Sequence, residues 1–372
     1  MGNPFAALEE PVLESLNKLQ ADFRNDTRPH KVDLMVGSYR SDDGAERVFE
    51  SVRLAKERLY KDPTWSHAYP STHLGEPAFR KASLKLLFGD DSPLLLSNRV
   101  ASMQALGGSG ACHMGAVWLK KYYYPSESPK VYIPKEAWAN HANVFASVGL
   151  QVRETLPYFN HETKNLDAEA LLAFAQRLPK HSTVVLQVCG NNPTGCDLPQ
   201  AAWNRLVQVM KQNDLLAFLD IAYQGFASGD VERDAEPIRI LAAHDVPLVV
   251  AVTYSKAFGL YGERVGQLCV TAPDAQTAEV MERHMLLLAR AETGAQPRFG
   301  ALLVSIILED VELTARWKSE IKEMAENLRE RREALLKEIG KVSSMDWSFA
   351  AEQRGMFLYG TLLSRFCLKD FC

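Results

Sequence analysis

None of the six cysteines forms a C-x-x-C pair, so neither a zinc site nor a redox dithiol is indicated. Cys112, Cys189, Cys196, Cys269, Cys367 and Cys372 are scattered, which also argues against a disulfide framework and fits reduced thiols. No apolar run approaches the roughly 18 residues needed to span a bilayer. No basic run stands out and the net charge is −4, which excludes the electrostatic footprint of a nucleic-acid binder. Internal repeats and low-complexity tracts are missing too, which removes solenoids and linker arrays from consideration. The opening MGNPFAALEEPV lacks a basic segment followed by an apolar core and is not Arg-rich, against a secretory or transit leader. Gly2 is followed by Ala6 where a myristoylation signal needs Ser or Thr. A cytoplasmic location is expected.

What remains is an ordinary globular composition, 47% hydrophobic and 24% charged, on 372 residues, long enough for two domains. Residues 1–30 carry little periodicity and read as an arm. Lys31–Met35 reads as a short strand ending in a Val36-Gly37 turn, and Asp42-Asp43-Gly44 as a second turn. Helices follow over about 45–60 and from Phe79 to Phe88. From Ala101 strand-like and helix-like segments alternate, the signature of a mostly parallel sheet covered by helices. Strands are expected at Val131–Ile133, Thr183–Cys189, Leu215–Leu219, Leu248–Thr253 and Gln267–Thr271. Trp317, Ile321, Met324, Leu328, Leu335 and Ile339 recur at helical spacing and predict one long helix from Val311 to Ile339. The expected divisions are 1–44, an arm with the first part of a small domain; 45–310, a large domain; and 311–372, the rest of the small domain.

The chemistry concentrates in VVAVTYSKAFGLYGERV, Val249 to Val265. A buried strand delivers Thr253, Ser255 and Lys256 to its end, and a loop with Gly259 and Gly262 leads to Arg264. Two hydroxyls and an arginine suit a phosphate, and a partly desolvated lysine beside a second cation is a usable nucleophile toward an aldehyde. A strand end with a solvated Lys and Arg explains the same residues. Gly107-Gly108-Ser109-Gly110 opens a helix, where backbone N–H groups can approach a phosphate, although glycine turns before helices are common. Asn191-Asn192-Pro193-Thr194-Gly195 and Asp220, with Tyr223 three residues on, each follow an apolar strand, where open α/β sheets bind ligands. A plain turn and a helix cap account for them equally well. Trp138 and His141 follow the strand Val131–Ile133; a lone tryptophan is also a common core residue.

Taken in order, these segments resemble the aspartate aminotransferase family, the pyridoxal-phosphate enzymes of fold type I. TYSKAFGLYGERVG and DIAYQGFASGD carry the resemblance, which runs from about Val32 to Tyr359. It implies an α/β fold with a large, mostly parallel-sheet domain and a smaller α/β domain. It also implies a homodimer with shared active sites, pyridoxal 5'-phosphate as cofactor, and transfer of an amino group between aspartate or glutamate and a 2-oxo acid. Lys256 would hold the cofactor covalently and carry a proton. Asp220 would pair with the protonated ring nitrogen, keeping the ring an electron sink. Tyr223 and Asn192 would reach the ring's phenolic oxygen, Trp138 its face, and His141 would support Asp220. Gly108, Ser109, Thr253, Ser255 and Arg264 would hold the phosphate, with Tyr69 reaching in from a neighbouring subunit. No metal is implied.

For substrate, the resemblance implies Gly37 near the α-carboxylate, together with Trp138 and Asn192. Arg290, supplied across the dimer, would bind a distal carboxylate. The segment Glu292-Thr293-Gly294-Ala295-Gln296 departs from the family's pattern there, as do Gln187 and Asn191 where histidines are common. After Arg354-Gly355-Met356-Phe357-Leu358-Tyr359 the resemblance ends. Residues 360–372 show no counterpart of the family's Ser-Gly-Arg-Ile-Asn segment, whose arginine takes the α-carboxylate, and Arg365 is a poor substitute. The expectation is a chain that keeps the cofactor but transaminates weakly. A non-catalytic cofactor-binding homologue and another pyridoxal-phosphate reaction on the same fold are the alternatives.

Overall fold

The computed structural model describes residues 15–35, 37–42, 44–123 and 130–360, with side chains from residue 18 onward. Val36, Asp43 and the segment 361–372 with Arg365 lie outside them. The described residues fall into two units, the first ending at Ser38 and the second Tyr39–Gly360.

In the first unit a helix spans Ser15–Asn25, where an aperiodic arm was expected. The spacing of Leu16, Leu19 and Phe23 carries the helical period that the flanking prolines obscure. The expected strand Lys31–Met35 is not formed. Its alternating Val32 and Leu34 stay exposed, so no burial rewards extension. Lys31 instead donates through Nζ to the carbonyls of Phe23 (2.8 Å) and Asp26 (2.7 Å).

The second unit is built on a sheet. Nine strands occur among the described residues: β1 (Val100–Leu106), β2 (Lys130–Pro134), β3 (Gln151–Leu156), β4 (Phe159–Asn160), β5 (Asn165–Leu166), β6 (Thr183–Gln187), β7 (Leu216–Ile221), β8 (Leu248–Thr253) and β9 (Val265–Thr271). Seven form one sheet in the order β1-β9-β8-β7-β6-β2-β3, while β4 and β5 pair separately. Only β9 runs against its neighbours in that sheet, pairing antiparallel with both β1 and β8. The five expected strands are present within a few residues, and β1 and β3 join them.

Alternate side chains on each strand enter opposite cores. Leu216, Phe218, Val249 and Ala251 pack with Ala111, Cys112 and Phe145 on one face. Ala217, Leu219, Ile221, Val250 and Val252 pack on the other with Trp203, Ile238 and Trp317. Both faces are therefore covered, which is why these strands read as unbroken apolar runs. In this alternation Asp220 continues the face of Phe218. Registers Gln187↔Asp220 and Asp220↔Ala251 bring β6, β7 and β8 to a common carboxyl edge.

The helix expected from residue 45 begins at Glu50. Its first turn is capped from a distant helix: the buried Glu320 carboxylate accepts from the N–H of Glu50 (2.6 Å) and of Ser51 (3.1 Å) and from Ser51 Oγ (2.7 Å). Such a cap is invisible to local sequence reading. Glu320 belongs to the helix Val311–Val342, close to the expected Val311–Ile339. Among the described residues Cys112, Cys189, Cys196 and Cys269 are free and buried. No described helix is long and apolar enough to cross a membrane.

The long helix is tied to the loop that follows Lys256. Trp317 donates through Nε1 to the Ala257 carbonyl at 2.7 Å and stacks on Phe258 with ring centroids 4.4 Å apart. Trp317→Ala is expected to cost about 3–5 kcal/mol of stability in urea unfolding. Trp317→Phe, which keeps the stack and drops the hydrogen bond, should cost about 1 kcal/mol plus a small packing loss. Equal losses for the two variants would contradict this division.

Candidate active site

The carboxyl edge of β6, β7 and β8 opens into a polar cavity lined by Gly108, Ser109, Trp138, Gln187, Asn192, Asp220, Ala222, Tyr223, Thr253, Ser255, Lys256 and Arg264. Ten of these are the residues singled out from the sequence, now brought together from five separate segments. His141 stands behind them. Tyr69 and Arg290 are not in the lining, and Gly37 belongs to the first unit.

Asp220 is buried, so its carboxylate needs compensation. His141, buried as well, approaches it with Nε2 at 2.9 Å from Oδ2. With a carboxylate as partner, Nε2 is the donor, while Nδ1 finds no hydrogen-bond partner among the described residues. Cys112 completes this back wall: its sulfur, a His141 nitrogen and an Asp220 oxygen lie within 4.8 Å of one another. Burial, reinforced by Asp220, pushes the Cys112 thiol far up, so it stays neutral. Sequence reasoning passed over Cys112. Its place one helical turn beyond Gly108 was the available signal.

Lys256 sits above this wall, its Nζ 5.1 Å from the centre of the Tyr223 ring. Burial lowers the ammonium pKa; Asp220 opposes the shift and Arg264 adds to it. Tyr223 is held neutral by burial and by Asp220, and the Asn192 side chain hydrogen-bonds it. Asn192 is set in turn by Gln187, whose Oε1 accepts the Asn192 N–H at 2.9 Å. Trp138 is half-buried and meets His141 edge to face, with ring centroids 5.2 Å apart.

The end of the cavity nearest Arg264 is a close meeting of backbone and hydroxyls. Thr253 Oγ1 and Ser255 Oγ are 2.9 Å apart, and Arg264 Nη1 donates to Ser255 Oγ at 3.3 Å. Gly107 has φ +66, and a Cβ there would come within 2.5 Å of Arg264 Nη2. At Gly108 it would lie 3.2 Å from the Thr253 methyl. Glycine therefore keeps this hollow open beside a cation, a hydroxyl pair and a helix start. That donor set fits a phosphorylated aldehyde with a protonatable ring: hydroxyls and a guanidinium for the phosphate, a depressed-pKa amine for the carbonyl, and a buried carboxylate for the ring nitrogen.

Tyr69 is 87% exposed and Arg290 ends the helix Ala275–Glu292, also exposed. Their loops are nevertheless pinned together. Arg298 pairs with Glu76 and donates to the Ala68 carbonyl at 2.9 Å. The buried Gln104 accepts from the Glu76 N–H (3.1 Å) and donates to the Pro297 carbonyl (2.6 Å).

The family model for aminotransferases of class I and II matches residues 29–365. The chain belongs to this family. Its match reaches a few residues beyond Tyr359, where the resemblance read from the sequence ended. The tyrosine aminotransferase of Klebsiella pneumoniae is 38% identical over 94% of this chain and 86% of its own length. The cytoplasmic aspartate aminotransferase of Oryza sativa subsp. japonica is 36% identical over 97% and 88%. The crystal structure of an aromatic-amino-acid aminotransferase from Burkholderia pseudomallei, covalently bound to pyridoxal phosphate, superposes with TM-score 0.90 at 35% identity over 95% and 87%. The chain is thus an enzyme with the fold type I architecture, a pyridoxal-phosphate-dependent aminotransferase working on amino acids and 2-oxo acids.

The charges around Lys256 give a signed prediction for the apoprotein of this aminotransferase. The rate of Lys256 modification by an amine-reactive reagent should rise with pH through a midpoint below the ordinary lysine range. Asp220→Asn removes an opposing charge and should move the midpoint down; Arg264→Ala removes a like charge and should move it up. Shifts of the opposite sign would show that these charges do not set the amine.

Proposed function

We propose that this aminotransferase exchanges amino groups between a dicarboxylic amino acid, aspartate or glutamate, and a 2-oxo acid. The observation that carries its chemistry is Lys256, an amine with depressed pKa facing a buried carboxylate inside a phosphate-sized hollow. When bound, pyridoxal phosphate supplies an electron sink for the bond broken at the substrate's α-carbon. Lys256 holds the cofactor covalently and moves a proton at that α-carbon. Asp220, fixed by His141, holds a proton at the ring nitrogen. Tyr223 and Asn192 donate to the ring's phenolic oxygen, and Trp138 covers the ring face and excludes water. Gly108, Ser109, Thr253, Ser255 and Arg264 bind the phosphate. Gly37, Trp138 and Asn192 are the residues proposed to meet the substrate.

In this reading two chains associate and each lends Tyr69 and Arg290 to its partner's site, in the cytoplasm. The support is that both residues are exposed, Tyr69 on a loop and Arg290 in the last turn of the helix Ala275–Glu292, and that both lie outside the cradle of their own subunit. Arg290 then meets the distal carboxylate. A second reading, an aromatic side chain as the preferred amino donor, is favoured by the tyrosine and aromatic-amino-acid aminotransferases among the relatives.

Borohydride reduction followed by peptide mapping should place the pyridoxyl group on Lys256, and labelling of another lysine would count against the assignment. A panel of aspartate, glutamate, tyrosine and phenylalanine with 2-oxo acids tests the donor. Arg290→Ala should lower kcat/KM for aspartate by about 30- to several-thousand-fold, the equivalent of a lost charge partner of about 2–5 kcal/mol. Tyrosine turnover should change far less; equal losses on both donors would remove Arg290 from specificity. Mixing Tyr69→Phe with Lys256→Ala chains after joint refolding should regenerate one intact site per hybrid dimer. A monodisperse monomer in light scattering would end the shared-site reading.

A further inference from the structure

We propose that Asp197, which does not line the cofactor cavity, is a positioning residue that sets how strongly Asn192 and Tyr223 donate to the cofactor's phenolic oxygen. The inference rests on the reading that those two side chains face that oxygen. Asp197 follows the Asn191–Gly195 turn and folds back beneath it. Its Oδ2 accepts the Gly190 N–H at 2.8 Å and its Oδ1 the Asn191 N–H at 2.9 Å. Both carboxylate oxygens are thus committed to consecutive backbone donors, and the next residue in the chain is Asn192. Gly190 has φ +59, and a Cβ on it would stand 3.0 Å from the Tyr223 Cβ. The clamped turn therefore packs directly on Tyr223 while presenting Asn192 to it.

The surroundings make the clamp firm. Burial raises the Asp197 pKa, the two backbone N–H groups lower it, and the Arg354 charge lowers it further. The backbone of Arg354 donates its N–H to the Gly195 carbonyl at 2.7 Å, closing the turn from the other side. Phe357, in the same segment, meets the Tyr223 ring edge to face at 5.2 Å. A second carboxylate, Asp234, works in parallel on the turn that follows Tyr223, accepting from the Gly225 N–H at 2.7 Å and the Ala227 N–H at 3.2 Å. Asp197 and Asp234 border one cleft behind the cavity, which Arg233 and Arg354 also line. Thr194, within the turn, and Cys196, between it and Asp197, bond within this segment, and neither is in the cofactor lining. Asp197 is the side chain through which this rear cleft communicates with Asn192.

The test is the pH titration of the absorbance of the bound cofactor in the holoenzyme. A donor to an oxygen favours its charged form, so weaker donors move the titration midpoint up. Asn192→Ala and Tyr223→Phe should each raise it, which establishes that the two side chains face the oxygen. Asp197→Asn, of the same size but with one acceptor lost, should raise it by about 0.5 to 1 pH unit, the weight of one hydrogen bond. Placed in a background carrying both Asn192→Ala and Tyr223→Phe, Asp197→Asn should add little, because both of its routes of action are already gone. Asp310→Asn, which weakens the cap of the helix Val311–Val342 outside the cavity lining, should leave the midpoint unchanged. If Asp197→Asn yields no folded holoenzyme, Asp197→Ser, which keeps one acceptor, is titrated in its place. No shift on Asn192→Ala and Tyr223→Phe overturns the underlying reading and the inference with it. A shift in those two but none at Asp197, or a full additive shift when Asp197→Asn is added to the variant lacking both donors, overturns the inference alone.

Discussion

A carboxylate taken out of water must be compensated, and the architecture around Asp220 follows from that requirement. The residue lies inside a strand whose other side chains enter two apolar cores, and its neighbours across the sheet are Gln187 and Ala251. His141 supplies the compensation from the loop-to-helix segment after β2, and Cys112 fills the remaining space as a neutral thiol. On its open side Asp220 meets Lys256, whose charge it favours while burial disfavours it. One buried negative charge thereby organises a lysine, a histidine and a tyrosine from three different parts of the chain.

The second organising constraint is steric. A phosphate needs backbone at close range, so the approach of the Gly107–Ser109 segment to Arg264 and Thr253 leaves no space for side chains. Gly266 belongs to the same arrangement, since a Cβ there would meet the Gly107 carbonyl oxygen at 2.6 Å. These glycines sit where β1 and β8 both flank the antiparallel β9, so the departure of β9 from the parallel pattern lies beside the hollow. Arg264 itself has φ +52, a left-handed conformation held by donation from Nη1 to the Tyr261 carbonyl at 2.9 Å.

In the proposed reading, reaction type and substrate choice are carried by different parts of this aminotransferase. The first belongs to strand ends packed on both faces. The second belongs to the exposed loop bearing Tyr69 and the exposed helix end bearing Arg290, whose neighbourhoods are joined through Arg298 and the buried Gln104. Such a separation fits one family containing relatives named for aspartate and for tyrosine at comparable identity to this chain.

The sheet's buried strands, the long helix and most of the side chains that meet in the cavity were legible in the sequence, because each has a local signature: continuous apolar runs, a sustained helical period, and hydroxyls, glycines and charges at strand ends. Sequence reading misjudged residues 15–35, where the periodicity of Leu16, Leu19 and Phe23 is brief and exposed Val32 and Leu34 imitate a strand. Other features have no local signature at all. The cap that Glu320 gives the helix Glu50–Lys61, the pairing of His141 with Asp220 across 79 residues, the neutral Cys112 behind them and the clamp of Asp197 beneath Asn192 depend on which segments the sheet order makes neighbours. Only the tertiary structure decides these, because a desolvated charge or an orphan N–H is satisfied by whatever group packing brings within hydrogen-bond reach, whatever its distance along the chain.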